Sequence, residues 1–359
     1  MKVAFVIPSL TNNGPNVFTK ILIESLIQYS FFNHSDIVVF YFNETEGAEL
    51  VFPCKTKKLD FFKKFNFSTF DIIHTTMFKA DLYSALRLAG KNKLVVISGI
   101  HNEIPSDLRF LYGHFKAWVL EKVWLKSLSK ISNLVVSSPY MKHFYETKCN
   151  IDAVYEIIPY GIKKRESEYA ELAEENNFLN QLQRKYTVIG ACGLVIKRKS
   201  FKTLLDFIKQ NDDFAVVIIG DGPEADNLRE LAKVNNLSER FFILGFKDNS
   251  VSYYKHFDIF ALTSFSEGFG LAMLDALSFN IPLVCSNLPI YKGFFDSNSV
   301  GLFEPGDVDS LSNSIMHVTK NKSYFSESSK ELFETNFQDY FMAKKHFNLY
   351  SQCINNNNT

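Results

Sequence analysis

An α/β protein of two doubly wound, parallel-sheet domains is the fold class this sequence predicts, on three observations. The chain has 359 residues, 46% hydrophobic and 22% charged, a globular balance and more chain than one core usually supports. Short apolar runs alternate with longer stretches of mixed period, the rhythm of strands joined by helical crossovers. That rhythm stops between Pro159 and Tyr186, then resumes.

In the first half, residues 3–7, 37–41, 72–73, 94–97 and 134–137 read as strands, with helices over 17–28 and 80–88. The run 3–10 gives way to polar Thr11, Asn12 and Asn13 without a cleavage-site pattern, so it reads as a buried strand and not a signal peptide. Pro159 and Gly161 then break the chain, and the acid-rich segment 166–183 lacks a strand pattern. The boundary falls there, giving an N-terminal domain over 1–163, a linker over 164–185 and a C-terminal domain over 186–335. In the second half, strands at 188–192, 215–220, 241–244, 259–262 and 283–285 alternate with helices at 202–209, 224–234, 253–256 and 271–278. Only the tail Asn355 to Asn358 is biased enough to predict disorder. In such sheets ligands sit outside the carboxyl ends of the strands, and two facing domains would build a site between them.

Bulk properties exclude several partners. Lys plus Arg and Asp plus Glu number 39 each, so no overall field favours nucleic acid. Five cysteines, Cys54, Cys149, Cys192, Cys285 and Cys353, are odd in number and lack Cys-x-x-Cys spacing, which argues against a disulfide framework or structural zinc and fits a reducing, cytoplasmic compartment. No stretch approaches the roughly 18 apolar residues a membrane span needs. Most of the 36 Phe and 16 Tyr are expected in the cores.

The most informative run is Thr263-Ser-Phe-Ser-Glu-Gly-Phe-Gly-Leu-Ala-Met-Leu-Asp275. A strand ends in small hydroxyl residues, passes Gly268, Phe269 and Gly270, and enters a helix at Leu271. Such a turn offers unpaired backbone N–H groups and the positive helix end to an anion, a cradle for a diphosphate. Glu267 and Asp275 accompany it, roughly 12 Å apart if helical throughout, too far apart for one acid–base pair. The separation suits the two ends of a nucleoside-diphosphate sugar, with Glu267 accepting from sugar hydroxyls and Asp275 from the ribose diol.

With Gly220-Asp-Gly-Pro223, Phe242-Ile-Leu-Gly-Phe246, Asp258-Ile-Phe-Ala-Leu262 and Gly301-Leu-Phe-Glu-Pro305 in this order, the C-terminal half resembles the retaining glycosyltransferases of family 4. Their signature is a Glu, seven residues and a second Glu; this chain has Glu267 and then Asp275. The resemblance implies the GT-B fold, a helix near 336–353 that crosses back onto the first domain, no metal or other cofactor, Gly220 and Gly222 near the phosphates, and Phe246 or Lys247 near the base. The family also carries an Arg directly after a Gly, with a Lys five residues on. Here Leu194 follows Gly193, and Lys199 falls on the Lys position. A leaving diphosphate needs a cation; Lys199 is the choice, with Arg198 or Lys197 replacing the absent Arg. A solvated loop of three bases is the rival reading of that run.

In the N-terminal domain, Gly14-Pro15-Asn16 opens a helix after the first strand, where the family has a turn closing on donor phosphates and acceptor; Gly14 is the expected contact, although Gly-Pro also starts helices for conformational reasons alone. His101 follows the strand 94–97 and an expected turn at Ser98-Gly99, where the family often has an active-site His. The segment from His114 to Lys130 holds both tryptophans, Trp118 and Trp124, among four lysines, either a peripheral membrane contact or an ordinary helix with its Trp residues inside. Phe61-Phe-Lys-Lys-Phe65 is a smaller version of the same chemistry.

The resulting expectation is a retaining, metal-independent transfer of a hexose or N-acetylhexosamine from a nucleoside-diphosphate sugar, first of all a UDP sugar, to a lipid-linked oligosaccharide of a surface polysaccharide such as O-antigen or capsule. Catalysis would fall to Glu267, Lys199 and His101, with donor binding by Gly14, Arg198, Gly220, Gly222, Phe246, Gly268, Phe269, Gly270, Leu271 and Asp275. The alternatives are a GT-B nucleotide-sugar 2-epimerase and a protein that binds nucleotide sugar without turning it over. A dehydrogenase would need Gly-x-Gly-x-x-Gly after the first strand, where residues 10–16 hold one Gly.

Overall fold

The computed structural model describes residues 1–45, 49–88, 94–165 and 173–358. It divides into two compact units, Met1–Lys163 with Phe337–Thr359, and Lys164–Asn336.

The first unit is built on β1 (Val3–Ser9), α1 (Gly14–Gln28), β2 (Ile37–Asn43), β3 (Lys55–Lys58), β4 (Ile72–Thr76), α2 (Met77–Arg87), β5 (Val95–Ile100), α3 (Ile104–Tyr112), α4 (His114–Leu128), β6 (Asn133–Val136), α5 (Pro139–Thr147) and β7 (Val154–Ile157). Its seven strands pair in parallel in the order β3-β2-β1-β4-β5-β6-β7. The chain starts at the centre, winds to one edge and returns to wind to the other, so the switch point lies between β1 and β4. A central parallel strand is covered on both faces, which is why Val3, Ala4, Phe5, Val6 and Ile7 are all apolar and buried. Edge strand β3 is the opposite case: its Lys55, Lys57 and Lys58 are exposed, and charge there discourages pairing with another chain. Strand β5 runs to Ile100, so Ser98 and Gly99, expected as a turn, pair with Leu134 and Val135 inside the sheet.

The second unit comprises α6 (Ala173–Lys185), β8 (Thr187–Cys192), α7 (Phe201–Ile208), β9 (Phe214–Ile219), α8 (Ala225–Val234), β10 (Phe241–Ile243), β11 (Ile259–Leu262), α9 (Leu271–Ser278), β12 (Leu283–Ser286), β13 (Gly301–Phe303), α10 (Val308–Lys320) and α11 (Lys322–Asn336). Six parallel strands run in the order β10-β9-β8-β11-β12-β13, with the switch point between β8 and β11. Ile189, Ala191, Val216 and Ile218 of the sheet pack with Leu204, Leu205, Leu311 and Ile315 of α7 and α10. Of the expected linker, residues 166–172 lie outside the described residues, and 173–185 form α6. Leu179 and Leu182 are buried and Phe178 meets Phe242 edge-on at 4.8 Å; three apolar anchors in a polar segment suffice to dock a helix on a preformed sheet.

The last helix, α12 (Asp339–Asn358), belongs to the first unit and includes the asparagine tail expected to be disordered. It lies against α1, where Asp339 accepts hydrogen bonds from Ser25 Oγ and Tyr29 Oη, each at 2.9 Å. Burial and the Asp339 carboxylate push the Tyr29 hydroxyl up to about 12. Farther along, Tyr350 Oη sits 2.6 Å from His74 Nδ1 on β4. Asp339→Ala removes the acceptor of the Tyr29 hydroxyl, while Ser25 Oγ keeps Ile21 O at 2.8 Å, and is expected to destabilise the first unit by about 1–2 kcal/mol. Amide hydrogen exchange should show α12 opening earlier in the variant; unchanged protection would refute the role of this carboxylate as the clamp.

Candidate active site

At the carboxyl end of β8 the chain turns through Gly193 and Leu194, buries Val195, and makes a short helical turn over Lys197–Lys199 that ends at Ser200 in the left-handed region. The turn is fastened to the loop after β11: Thr263 Oγ1 donates to Lys199 O at 2.8 Å and Phe265 N to Arg198 O at 2.8 Å. The two loops therefore meet at the sheet's switch point, and the side chains they bring together carry opposite charge. Lys199 Nζ lies 2.5 Å from Glu267 Oε1, Arg198 Nη1 lies 3.8 Å from Glu267 Oε2, and Ser264 Oγ donates to Oε1. Arg198 also donates to Ser266 O. Lys197 differs from its neighbours: its side chain is 85% exposed, 4.0 Å from Glu224. Of the three consecutive bases, two turn inward and one is solvated.

Glu267 is 8% exposed. Burial opposes its charge, but Lys199, Arg198 and the hydroxyl of Ser264 together outweigh burial and hold the carboxyl below its ordinary value. Immediately after it, Gly270 takes φ 98° as the residue before α9, a left-handed conformation that admits glycine readily. The N–H groups of Leu271 and Ala272 precede the first helical bond, from Met273 N to Gly270 O at 3.0 Å, so the positive helix end begins four residues after Glu267. Because α9 begins only at Leu271, Glu267 and Asp275 are not one helical run, contrary to the premise of the 12 Å spacing. The Phe269 ring, expected at the donor, is instead core: 1% exposed, edge-on to Phe294 at 5.6 Å, with its carbonyl accepting from Tyr291 Oη at 2.9 Å. Only backbone remains for a ligand there.

One turn into α9, Asp275 Oδ1 accepts from Arg165 Nε at 2.9 Å. Burial raises its carboxyl above the ordinary value, with Arg165 pulling the other way. Sequence reasoning missed Arg165, which has no motif and stands far away along the chain. Gly220 and Gly222 have a packing reason to be glycine. A Cβ at Gly220 would stand 2.0 Å from Gly193 O, and one at Gly222 2.5 Å from Val195 O. The loops after β8 and β9 press backbone to backbone, sealed by Val195 N to Asp221 O and Glu224 N to Val195 O. Phe246, 61% exposed, and Leu194, 59% exposed, stand at the ends of β10 and β8.

The remaining candidates belong to the first unit. Gly14 opens α1, with Asn13 Oδ1 capping Asn16 N at 3.1 Å, and a Cβ on Gly14 would meet nothing within 4 Å. His101 directly follows β5 but is 7% exposed. Its Nδ1 bonds the Tyr160 hydroxyl, Phe18 meets its ring edge-on at 5.0 Å, and His74 and His346 share its surroundings. Burial, reinforced by His346, pushes its imidazole down to about 3, so it is neutral at pH 7. This is the setting of a buried histidine cluster; contact with a substrate requires it to be uncovered.

Helix α4 divides the expectation for its two tryptophans. Trp124 is inside, donating from Nε1 to the buried Asp81 at 2.8 Å, while Trp118 is 56% exposed and Phe115 80%. Phe110 and Tyr112 of α3 add exposed aromatic surface. Among the described residues, no group of three or more His, Cys, Asp or Glu is placed to hold a metal ion, and no helix is long and apolar enough to cross a membrane.

Residues 173–336 match the family model for glycosyl transferases group 1. Over 370 aligned residues, 99% of each chain, the protein is 26% identical to the O-antigen biosynthesis glycosyltransferase WclY of Escherichia coli. Over 152 residues, 39% of this chain and 38% of the other, it is 31% identical to an Escherichia coli UDP-Gal:alpha-D-GlcNAc-diphosphoundecaprenol alpha-1,3-galactosyltransferase. The structure of Anabaena HepE in complex with UDP superposes with a TM-score of 0.77 at 15% identity, covering 98% of this chain and all of that one. The fold is that of the GT-B glycosyltransferases.

Lys199→Ala tests the electrostatics. In the wild type, the stability contributed by Glu267 is present above its unfolded pKa and is lost as pH falls through the lower folded value. Without Lys199 the buried carboxylate is under-compensated, so the stability gap between wild type and variant should open as pH rises through the wild type's lowered folded value and reach about 3 kcal/mol at pH 7. Urea unfolding at pH 3 and pH 7 reads this; a gap equal at both pH values would show that the pair does not hold the charge.

Proposed function

We propose that this glycosyltransferase, whose residues 173–336 match the model for glycosyl transferases group 1, moves a hexose or N-acetylhexosamine from a UDP sugar to a lipid-linked oligosaccharide, with retention and without a metal. The observation that carries this reading is the buried Glu267 carboxylate, paired with Lys199 and Arg198 in the loop that leads into α9. A site with a fixed acceptor for sugar hydroxyls and a fixed cation ahead of a helix N-terminus matches a sugar diphosphate. The acceptor class is supported by WclY being an O-antigen enzyme and by the galactosyltransferase acting on a diphosphoundecaprenol sugar.

In the proposed step, the bond from the anomeric carbon to the diphosphate breaks and a bond to the acceptor oxygen forms on the same face. The acceptor's proton passes to the departing phosphate oxygen. Lys199, Arg198 and the α9 N-terminus stabilise the charge that grows on the diphosphate, Glu267 orients the sugar, and Asp275 accepts from the ribose diol. Gly220 and Gly222 contribute by keeping the loops after β8 and β9 close. Gly14, with open space where a side chain would be, leaves room for a phosphate or acceptor group, and the exposed Phe246 ring offers a face to the base. His101 is assigned an uncharged hydrogen-bonding role.

The test is nucleoside diphosphate release from a panel of UDP, GDP, ADP and dTDP sugars, with and without lipid-linked acceptors and with a chelator present. Release specific to one UDP sugar, stimulated by acceptor, unaffected by chelator and reduced about 100-fold or more in Glu267→Gln is expected, with the product anomer read by NMR. Donor binding without turnover under every acceptor condition would make this a binding protein instead.

For the acceptor's membrane, the reading assigns the exposed aromatics of α3 and α4 together with Lys116, Lys122 and Lys126. Phe115→Ala/Trp118→Ala should lower partitioning onto anionic vesicles by about tenfold or more, with folding intact because Trp124 and not Trp118 ties α4 to Asp81. Equal sedimentation of variant and wild type with vesicles would remove this surface from the proposal.

A further inference from the structure

We infer that Arg165 is a positioning residue for the nucleotide: its guanidinium aims the Asp275 carboxylate at the ribose diol. The inference rests on the reading above, in which Asp275 meets the ribose.

The signature that Glu267 begins calls for a Glu eight residues on, and this chain has Asp there. Losing one methylene draws the carboxylate back toward the helix and removes a torsion by which it could seek its ligand. The structure supplies a compensating contact. Arg165 Nε donates to Asp275 Oδ1 at 2.9 Å, with the side chains 27% and 15% exposed. One Asp275 oxygen is thereby fixed, and the lone pairs of the other go, in this inference, to a ribose hydroxyl. Next to Arg165, Lys164 Nζ lies 2.7 Å from Glu334 on α11 in an exposed pair, and α11 packs against α9.

The surroundings make the cation necessary. Cys192 at the end of β8 and Tyr254 both sense the Asp275 charge, and neither supplies a positive one. Tyr254 spends its hydroxyl on Ala272 O at 3.1 Å. Burial alone would favour the protonated acid, a poorer acceptor for a diol. Across the signature each carboxylate meets a cation, with different outcomes: Lys199 and Arg198 outweigh the burial of Glu267, whereas Arg165 offsets only part of the burial that raises Asp275.

Calorimetry with UDP and 2′-deoxy-UDP separates the possibilities, using wild type, Arg165→Gln, Arg165→Lys, Asp275→Asn and the double variant Arg165→Gln/Asp275→Asn, each first checked for an unchanged thermal transition. Wild type should prefer UDP to the 2′-deoxy form. Arg165→Gln should weaken UDP binding about tenfold and shrink that preference, Arg165→Lys should restore most of both, and Arg165→Gln should add less than about twofold when Asp275 is already Asn. With donor saturating, kcat should change by less than about threefold. If Arg165→Gln binds both nucleotides as wild type does while Asp275→Asn loses the preference, or if the two substitutions multiply independently, the inference fails and the ribose reading survives. If Asp275→Asn leaves the preference untouched, or wild type shows none, the ribose reading itself fails.

Discussion

A carboxylate that is almost out of water must be paired, and in this protein that requirement organises the second unit. Glu267 stands in the loop after β11, and its cations can come only from a loop that ends beside it. The sheet order supplies one, because β8 is the hydrogen-bonded neighbour of β11 and the two are joined through opposite crossovers. Lys199 and Arg198 reach Glu267 because their own backbone carbonyls are already fastened to Thr263 and Phe265. Gly193, Gly220 and Gly222 let the adjoining loops approach without side chains between them. A net ionic cluster, partly shielded from water and set at the beginning of α9, is in place before any ligand arrives, so less reorganisation is left for the moment of binding.

Much of this was legible in the sequence. The alternation of apolar runs gave all but β3 and β7 of the first sheet and all but β13 of the second, since buried parallel strands cannot disguise their composition, and the run from Thr263 to Asp275 marked the candidate site. What escaped notice did so for physical reasons. Strand β3 is Lys-Thr-Lys-Lys and has no apolar face to betray it. Helix α6 docks on few apolar residues in a background of Glu, Asn and Gln. Gly220 and Gly222 look like ligand contacts in sequence, yet backbone-to-backbone packing already requires them. Arg165 lies 110 residues from Asp275, and no periodicity records an ion pair made by tertiary structure.

The same limit appears in the first unit. Position after a strand made His101 a natural candidate, and position is all that one sequence shows. Its environment is set by residues scattered from Phe18 to His346, which bury it beside two more histidines and remove its charge. Trp118 and Trp124 likewise share a helix and a composition; only the partner Asp81, 43 residues before Trp124, distinguishes the one that holds the fold from the one that meets solvent.

The return of α12 to the first unit has a consequence for how the molecule comes into being. The second unit is one continuous stretch of chain, Lys164–Asn336, while the first is interrupted by it. On a ribosome, residues 1–163 emerge with the apolar surface of α1 and the inner end of β4 still lacking Tyr350 and Asp339, and must wait through the synthesis of an entire second unit. The inserted unit can complete its core at once from local chain. Vectorial synthesis therefore favours the second unit finishing first, and leaves the other as the stage at which chaperones, or a nascent chain's own misadventures, have the longest time to act.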